Sequence, residues 1–154
     1  AEAGAGLVCS HTGGLAPRTD PHRVHYDDVV ADVVATVAGL ARRAVALGVR
    51  PDRVLVDPTH DFGKNTYHSL ELTRRLDELA ATGWPVLVAV SNKDFIGEAL
   101  DAPVDERGSG TLAAPAVSAW RGVRVFRVHD VGAARAALDT VAGLGASTGG
   151  GRHL

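Results

Sequence analysis

The sequence predicts an α/β fold, namely the last four βα units of a TIM-type (β/α)8 barrel. Short apolar runs alternate four times with helix-like stretches along the 154 residues. The third run, 85–90, is apolar without alternation, which is typical of a strand buried on both faces of a parallel sheet. Connections of this length require parallel strands and right-handed crossovers. A complete barrel needs about 250 residues, so residues 1–144 would form its C-terminal half.

The helices and strands are predicted from the spacing of apolar residues and from the glycine and proline residues that end such segments. The predicted strands are 7–10, 53–57, 85–90 and 123–129. The predicted helices are 26–47, 67–81, 111–120 and 130–144. Residues 94–110 are rich in charge and glycine and are predicted to form a loop, and 145–154 a flexible tail. An open doubly wound sheet would fit the same order, but no GxGxxG turn follows any strand, which disfavours a dinucleotide-binding version of that fold.

Composition excludes several classes of function. The net charge of −2 and the pI near 6.4 indicate no basic surface for nucleic acid. No apolar run approaches the roughly 18 residues of a membrane span. The single cysteine, Cys9, has no partner for a disulfide or a CxxC site, which favours a reducing, cytoplasmic setting. The chain contains no Met and its first residues resemble the end of a helix, so we expect residues upstream of Ala1.

Polar side chains follow the predicted strands, at the end where parallel α/β folds bind ligands. Lys93, Arg127 and a protonatable His129 suit a phosphate or pyrophosphate, with Arg127 offering a planar fork of donors. Asp57 is an acceptor-only carboxylate and suits a ligand with paired N–H donors, such as a 2-amino-4-oxo ring. Phe62 could supply a ring face. The sequence therefore predicts a site for an anion and a heterocycle.

Several of these residues also have structural interpretations. An Asp before Pro often caps a turn, and Lys64 fits a contact within the loop as well as it fits substrate. Phe95 and Ile96 are expected in the core. The histidines lack the HxxxH spacing of a metal site, so no metal ligands are expected among them. They are His11, His22, His25, His60 and His68.

The order and spacing of these residues resemble the dihydropteroate synthase family over nearly the whole chain. The motifs that carry the resemblance are Asp57-Pro-x-x-x-Phe62-Gly63-Lys64-Asn65, Ser91-x-Lys93-x-x-Ile96-Gly97, Arg107 with Gly110-Thr-Leu-Ala-Ala, and Arg127-Val-His129-Asp130-Val131. The resemblance implies a transferase of folate biosynthesis, which condenses 6-hydroxymethyl-7,8-dihydropterin diphosphate with 4-aminobenzoate. It also implies a homodimer of TIM barrels and a Mg²⁺ ion on the diphosphate, with its ligand upstream of this chain.

The resemblance implies a role for each motif residue. Asp57 would hold the amino and ring N–H groups of the pterin, Lys93 would reach the ring edge, and Phe62 would line the pocket. Arg127 and His129 would bind the diphosphate and stabilise it as it leaves. Lys93, Arg127 and His129 would thus be the catalytic residues.

Two segments depart from the family pattern. Ser91-Asn92-Lys93-Asp94 stands where the family usually has Ser-Arg-Lys-Ser, whose last Ser and nearby backbone receive the aminobenzoate carboxylate. Asp94 would place like charge there, and Asn92 removes a cation. Residues 57–61 read Asp-Pro-Thr-His-Asp where the family commonly has Asp-Pro-Gly-x-Gly. Both changes resemble the divergent second copy of the synthase that some bacteria carry.

Three functions are therefore considered. The first is an active dihydropteroate synthase. The second is a catalytically inactive pterin-binding paralogue with a binding or regulatory role. The third is a methyltetrahydrofolate-dependent methyltransferase, which the diphosphate-directed pair Arg127 and His129 disfavours.

Overall fold

A computed structural model describes residues 1–13 and 24–145 and shows alternating strands and helices. In chain order the elements are β1 (Leu7–Ser10), α1 (Val29–Ala46), β2 (Val54–Asp57), α2 (Thr66–Arg74), α3 (Leu76–Ala80), β3 (Leu87–Val88), α4 (Asp94–Leu100), α5 (Gly108–Trp120), β4 (Val125–Phe126) and α6 (Val131–Gly145). Short 3₁₀ turns occupy Pro51–Arg53 and Val104–Glu106. The α/β class predicted from the sequence is confirmed.

The strands are parallel and follow one another in chain order. β1 pairs with β2, a single bridge joins β2 to the segment before β3, and β3 pairs with β4. Three pairs set the register: Val8 with Leu55, Val56 with Val86, and Leu87 with Val125. All carboxyl ends therefore point the same way, and the loops that follow the strands share one edge.

The core lies between the strands and the helices that cover one of their faces. The apolar residues of α1 form one buried stripe for most of its length, although Leu40 is exposed. The apolar residues with no exposure are Val30, Val33, Val37, Ala41, Val56, Leu72, Leu76, Leu79 and Val123. Phe95 and Ile96 are also buried, as predicted. None of the helices in the described residues is long and apolar enough to cross a membrane.

Some boundaries differ from the sequence prediction. The helix predicted over 67–81 is interrupted at Arg75, whose φ of −114° leaves the helical range and whose guanidinium bonds Asp28 and Glu78. β3 and β4 are shorter than predicted. α6 continues through Gly145, and the rest of the predicted tail, 146–154, lies outside the described residues.

The predicted loop over 94–110 is wrong, because it contains α4, a 3₁₀ turn and the first turn of α5. Phe95, Ile96 and Gly97 of α4 are buried. Lys93, which precedes α4, has no acceptor and cannot cap it. Without a capping residue next to it in sequence, this short helix gives little local signal.

Open strand edges lead to one prediction about the isolated chain. Over residues 1–13 and 24–145, β1 pairs only with β2 and β4 only with β3, and Leu7 and Val8 of β1 are 42% and 43% exposed. Open edges with apolar side chains favour pairing with other chains. We expect the 154-residue chain expressed alone to self-associate, measured by light scattering. A stable monomer would contradict the half-barrel interpretation.

Candidate functional site

Three of the strand-end residues predicted from the sequence lie near Lys93, namely Asp57, Phe62 and Arg127. Nζ of Lys93 donates to the backbone carbonyl of His60 and lies 5.0 Å from the centre of the Phe62 ring, a cation–π contact. Burial lowers the pKa of Lys93, while the Asp61 and Asp57 carboxylates act in the opposite direction and Arg127 lowers it further. The loops after β2 and β3 and the end of β4 therefore share one electrostatic environment.

Asp57 is both a turn residue and an open acceptor. Its Oδ1 accepts from the backbone N–H of Thr59 at 2.7 Å, and its carbonyl accepts from the Thr59 hydroxyl at 3.1 Å. The carboxylate is half-buried, and its Oδ2 has no hydrogen-bond donor among the residues that the structure describes. One oxygen thus fixes the turn, and the other remains open to a ligand.

Arg127 and His129 are also uncommitted. Both side chains are exposed and lie at i and i+2 beyond β4, on one face of the chain. Their backbone N–H groups bond Val88 and Ser91, which fixes their position next to β3. Neither side chain makes a hydrogen bond within residues 1–13 and 24–145. Both side chains are therefore available to a ligand.

Lys64 has the structural role that the sequence left open. It is 1% exposed, and its Nζ donates to the carbonyls of His11, Thr59 and Phe62 at 3.0, 3.1 and 3.0 Å. Burial, with repulsion from Lys93, lowers its pKa to about 7. Only the protonated form has three N–H donors, so the three carbonyls favour the ammonium against the effect of burial. Lys64 therefore holds the loop after β2 to the end of β1.

His11 extends this contact to α1. Its Nδ1 lies 2.8 Å from Nζ of Lys64, and its Nε2 lies 2.7 Å from Oδ2 of Asp32. Burial and the positive charge of Lys64 lower the pKa of His11. A neutral ring with the proton on Nε2 donates to Asp32, and its Nδ1 shares the three N–H donors of Lys64 with the three carbonyls. Asp32 is a residue of the site that sequence reasoning did not identify.

His60 is fully buried beneath the loop. The Thr73 hydroxyl donates to the carbonyl of Ser69 at 2.8 Å, so its oxygen accepts from Nε2–H of His60 at 3.1 Å. The ring stacks on Phe95 with centroids 5.4 Å apart. Nδ1 has no partner in the described part of the chain. Burial, followed by the charges of Lys93 and Lys64, lowers the pKa of His60 to about 3, so the ring is a neutral packing element.

Asp61 links the two loops that carry the predicted pterin and aminobenzoate residues. Its Oδ1 accepts from the Ser69 hydroxyl at 3.0 Å, and its Oδ2 accepts from the backbone N–H groups of Asp94 and Phe95 at 2.8 and 3.4 Å. Burial raises the pKa of this carboxyl. Asp61 therefore caps α4 from a distant part of the chain, a contact that the sequence did not reveal.

The altered residues Asn92 and Asp94 are held by α5 and the loop before it. The Thr111 hydroxyl exchanges hydrogen bonds with the backbone N–H and side-chain oxygen of Asn92, both at 3.0 Å. Arg107 donates to the carbonyl of Asn92 at 2.9 Å and to Oδ1 of Asp94 at 3.0 Å. The carboxylate of Asp94 is 80% exposed and lies at the rim. The Arg107 guanidinium beside Asp94 is thus already paired with that carboxylate.

The described residues contain no group of three or more His, Cys, Asp or Glu side chains that could hold a metal ion. His22 lies outside those residues. The Mg²⁺ that the family resemblance implies has no ligand set on this part of the chain.

The parallel strands thus carry a carboxylate, basic side chains and an aromatic ring beyond their carboxyl ends, where parallel α/β proteins bind ligands. A sequence profile described as "Pterin binding enzyme" matches residues 1–129. The chain belongs to this pterin-binding enzyme family, which includes the dihydropteroate synthases.

Individual relatives refine this assignment. The chain is 60% identical to the "Inactive dihydropteroate synthase 2" of Mycobacterium leprae over 148 residues, which are 94% of this chain and 51% of that protein. It is 38% identical to the dihydropteroate synthase of Neisseria meningitidis serogroup C, over 94% of this chain and 51% of that protein. The chain thus spans about half the length of these curated relatives.

Solved structures support the same family assignment. Dihydropteroate synthase from Thermus thermophilus in complex with 4-aminobenzoate matches with a TM-score of 0.86 and 42% sequence identity, over 93% of this chain and 55% of that one. The family recognised from the strand-end motifs is confirmed by all three comparisons.

Removing the Lys64 ammonium should destabilise the fold. In Lys64→Met, the carbonyls of His11 and Phe62 lose their side-chain donor at a cost of about 1–3 kcal/mol each, so we expect the free energy of unfolding in urea to fall by at least about 2 kcal/mol. Arg42→Met, which removes an exposed cation of α1, should change it by less than about 0.5 kcal/mol. Equal stability of the two variants would contradict the role given to Lys64.

His60 should make the fold sensitive to acid. The unfolded chain binds a proton at this ring near pH 6.5 and the folded chain only near pH 3, so the free energy of unfolding falls as the pH drops through that window. The largest slope is about 1.4 kcal/mol per pH unit. His60→Phe keeps a ring on Phe95 without a titrating group, and urea unfolding between pH 6 and 4 should give a shallower slope. An unchanged slope would show that His60 is protonated in the fold.

Proposed function

We propose that this chain is the C-terminal half, with the last four βα units, of a pterin-binding barrel that binds a pterin diphosphate but does not condense it with 4-aminobenzoate. The proposal rests on one difference between the two parts of the site. The acceptor and cations for the pterin and the diphosphate are retained and open, whereas the residues around Asn92 and Asp94 are bonded to one another. Relatives at 60% and 55% identity bear the name "Inactive dihydropteroate synthase 2", which supports the same conclusion.

At the pterin end, Asp57, Lys93 and Phe62 would form the pocket. The open Oδ2 of Asp57 would accept one of the paired N–H groups of the ring, and the second lone pair of Oδ1 would accept the other. Lys93 is held in place by the carbonyl of His60 and reaches the edge of the ring. The Phe62 ring is 58% exposed and offers a face for the pterin.

At the diphosphate end, Arg127 and His129 would bind the phosphate oxygens. A planar guanidinium matches a phosphate with two parallel donors, and a protonated imidazole adds a second cation. In an active synthase the same pair would stabilise the departing pyrophosphate while the aromatic amine captures the methylene. Here these residues would act in binding.

An active synthase is the second candidate. The same five residues support it, and structures that match this chain are dihydropteroate synthases in complex with 4-aminobenzoate or with 6HMPPP. The internal bonding of Asp94 and Arg107 opposes it. Mg²⁺ and the homodimer, which the family resemblance implies, and a cytoplasmic location, which the single cysteine favours, remain predictions for the complete protein.

Ligand titrations of the complete protein test the proposal. We expect the wild type to bind the pterin diphosphate in calorimetry and to form no dihydropteroate when 4-aminobenzoate is added. Asp57→Asn replaces an acceptor by a donor facing the ring N–H groups and should weaken binding about tenfold or more. Asp52→Asn changes an exposed carboxylate at the other end of β2 and serves as the control.

Each result decides between the candidates. Formation of dihydropteroate would establish the active synthase instead. Absence of pterin binding by the wild type would overturn both, and equal affinity of the Asp57 and Asp52 variants would remove Asp57 from the site.

A further inference from the structure

We infer that the carboxylate of Asp61 fills the side of the site that would receive an aromatic amine, here called the acceptor side. It thereby excludes aromatic amines that bear a carboxylate. The inference deepens the proposed function and rests on it, because the acceptor side is defined relative to the pterin pocket. It names a specificity-determining residue outside the set predicted from the sequence.

The first observation is where the Asp61 carboxylate lies. Its Oδ2 accepts from the backbone N–H groups of Asp94 and Phe95, which directly follow Lys93 in the chain. These N–H groups are donors that an incoming carboxylate would need. Asp61 uses them both.

The second observation is that this carboxylate is fixed. Ser69 is fully buried, and its hydroxyl donates to Oδ1 of Asp61 and accepts from the Asp61 backbone N–H at 3.1 Å. Asp61 has a φ of +67°, so its backbone is in the left-handed region. A side chain held at both carboxylate oxygens cannot turn away to admit a ligand.

The third observation concerns the cations on this side. The Lys93 ammonium binds the carbonyl of His60 and lies over Phe62, and Arg107 binds Asn92 and Asp94. Two carboxylates, Asp61 and Asp94, balance these two cations. An added anion would therefore meet like charge without an uncommitted donor to offset it.

The site is thus divided into two electrostatic halves. Arg127 and His129 are open to an anion, whereas the acceptor side is saturated by contacts within the chain. A neutral aromatic amine would meet no charge repulsion there. The geometry predicts a preference for 4-aminobenzamide over 4-aminobenzoate, two ligands of nearly equal shape that differ in charge.

Two variants separate charge from volume. Asp61→Gly removes the carboxylate at a position whose positive φ suits glycine, and Asp61→Asn removes the charge while keeping the size. Asp101→Gly is the matched control, because Asp101 also has a positive φ, of +51°, but is exposed at the other end of α4.

The experiment titrates 4-aminobenzoate and 4-aminobenzamide into the complete protein saturated with 6-hydroxymethylpterin and inorganic pyrophosphate. We expect the wild type and Asp101→Gly to bind the amide at least about tenfold more tightly than the acid. Asp61→Asn should narrow this ratio, and Asp61→Gly should bind the acid at least about tenfold more tightly than the wild type does. If Asp61→Gly keeps wild-type pterin affinity but gains none for 4-aminobenzoate, the inference is wrong.

Two further readouts keep the inference distinct from the proposed function. Pterin titration of the wild type alone tests the proposed function, which fails if no binding is seen. The amide N–H resonances of Asp94 and Phe95 test the inference without any ligand. They should shift with pH as the Asp61 carboxyl titrates, and in Asp61→Asn this shift should disappear. Resonances that are insensitive to Asp61 would show that its carboxylate does not occupy these groups.

Discussion

The arrangement of the site depends on a buried ammonium beneath the loop after β2. Lys64 gathers the carbonyls of Thr59, Phe62 and His11, which makes the loop turn back on itself. Gly63 permits this turn, because a Cβ there would lie 2.5 Å from the carbonyl oxygen of Thr12. While its carbonyl is held by Lys64, the Phe62 side chain remains 58% exposed. The shape of the loop thus follows from satisfying one buried cation, since an unpaired charge in the core would be far more costly.

The charged groups of the site fall into two sets, those that are bonded within the chain and those that are open to a ligand. Asp61, Lys93 and Arg107 have partners within the chain, whereas Arg127, His129 and one oxygen of Asp57 have none among the described residues. A motif can therefore keep residues of the same charge while those charges are no longer available to a ligand. This difference distinguishes the retained pterin and diphosphate ends from the altered aminobenzoate end.

Much of the fold could be predicted because its signals are local. The apolar stripe of α1, the buried strands and the glycines after the helices are repeated over short windows and need no tertiary context. The predicted loop over 94–110 was wrong for the opposite reason. The cap of α4 comes from Asp61, which lies 33 residues before Asp94 in sequence, and no window along the chain contains both ends of that contact.

The sequence by itself determined the α/β class, the family and the residues that end each strand, because residue type and spacing carry that information. Only the tertiary structure decided what each residue does. Lys64 fits substrate or loop equally well in sequence, and it binds the loop because three carbonyls converge on it. Asn92 and Asp94 stand as isolated changes in the sequence, whereas the structure connects them to Arg107, Thr111 and Asp61. Hydrogen bonds between distant segments assign these roles, and they exist only after the loops have been brought to one edge.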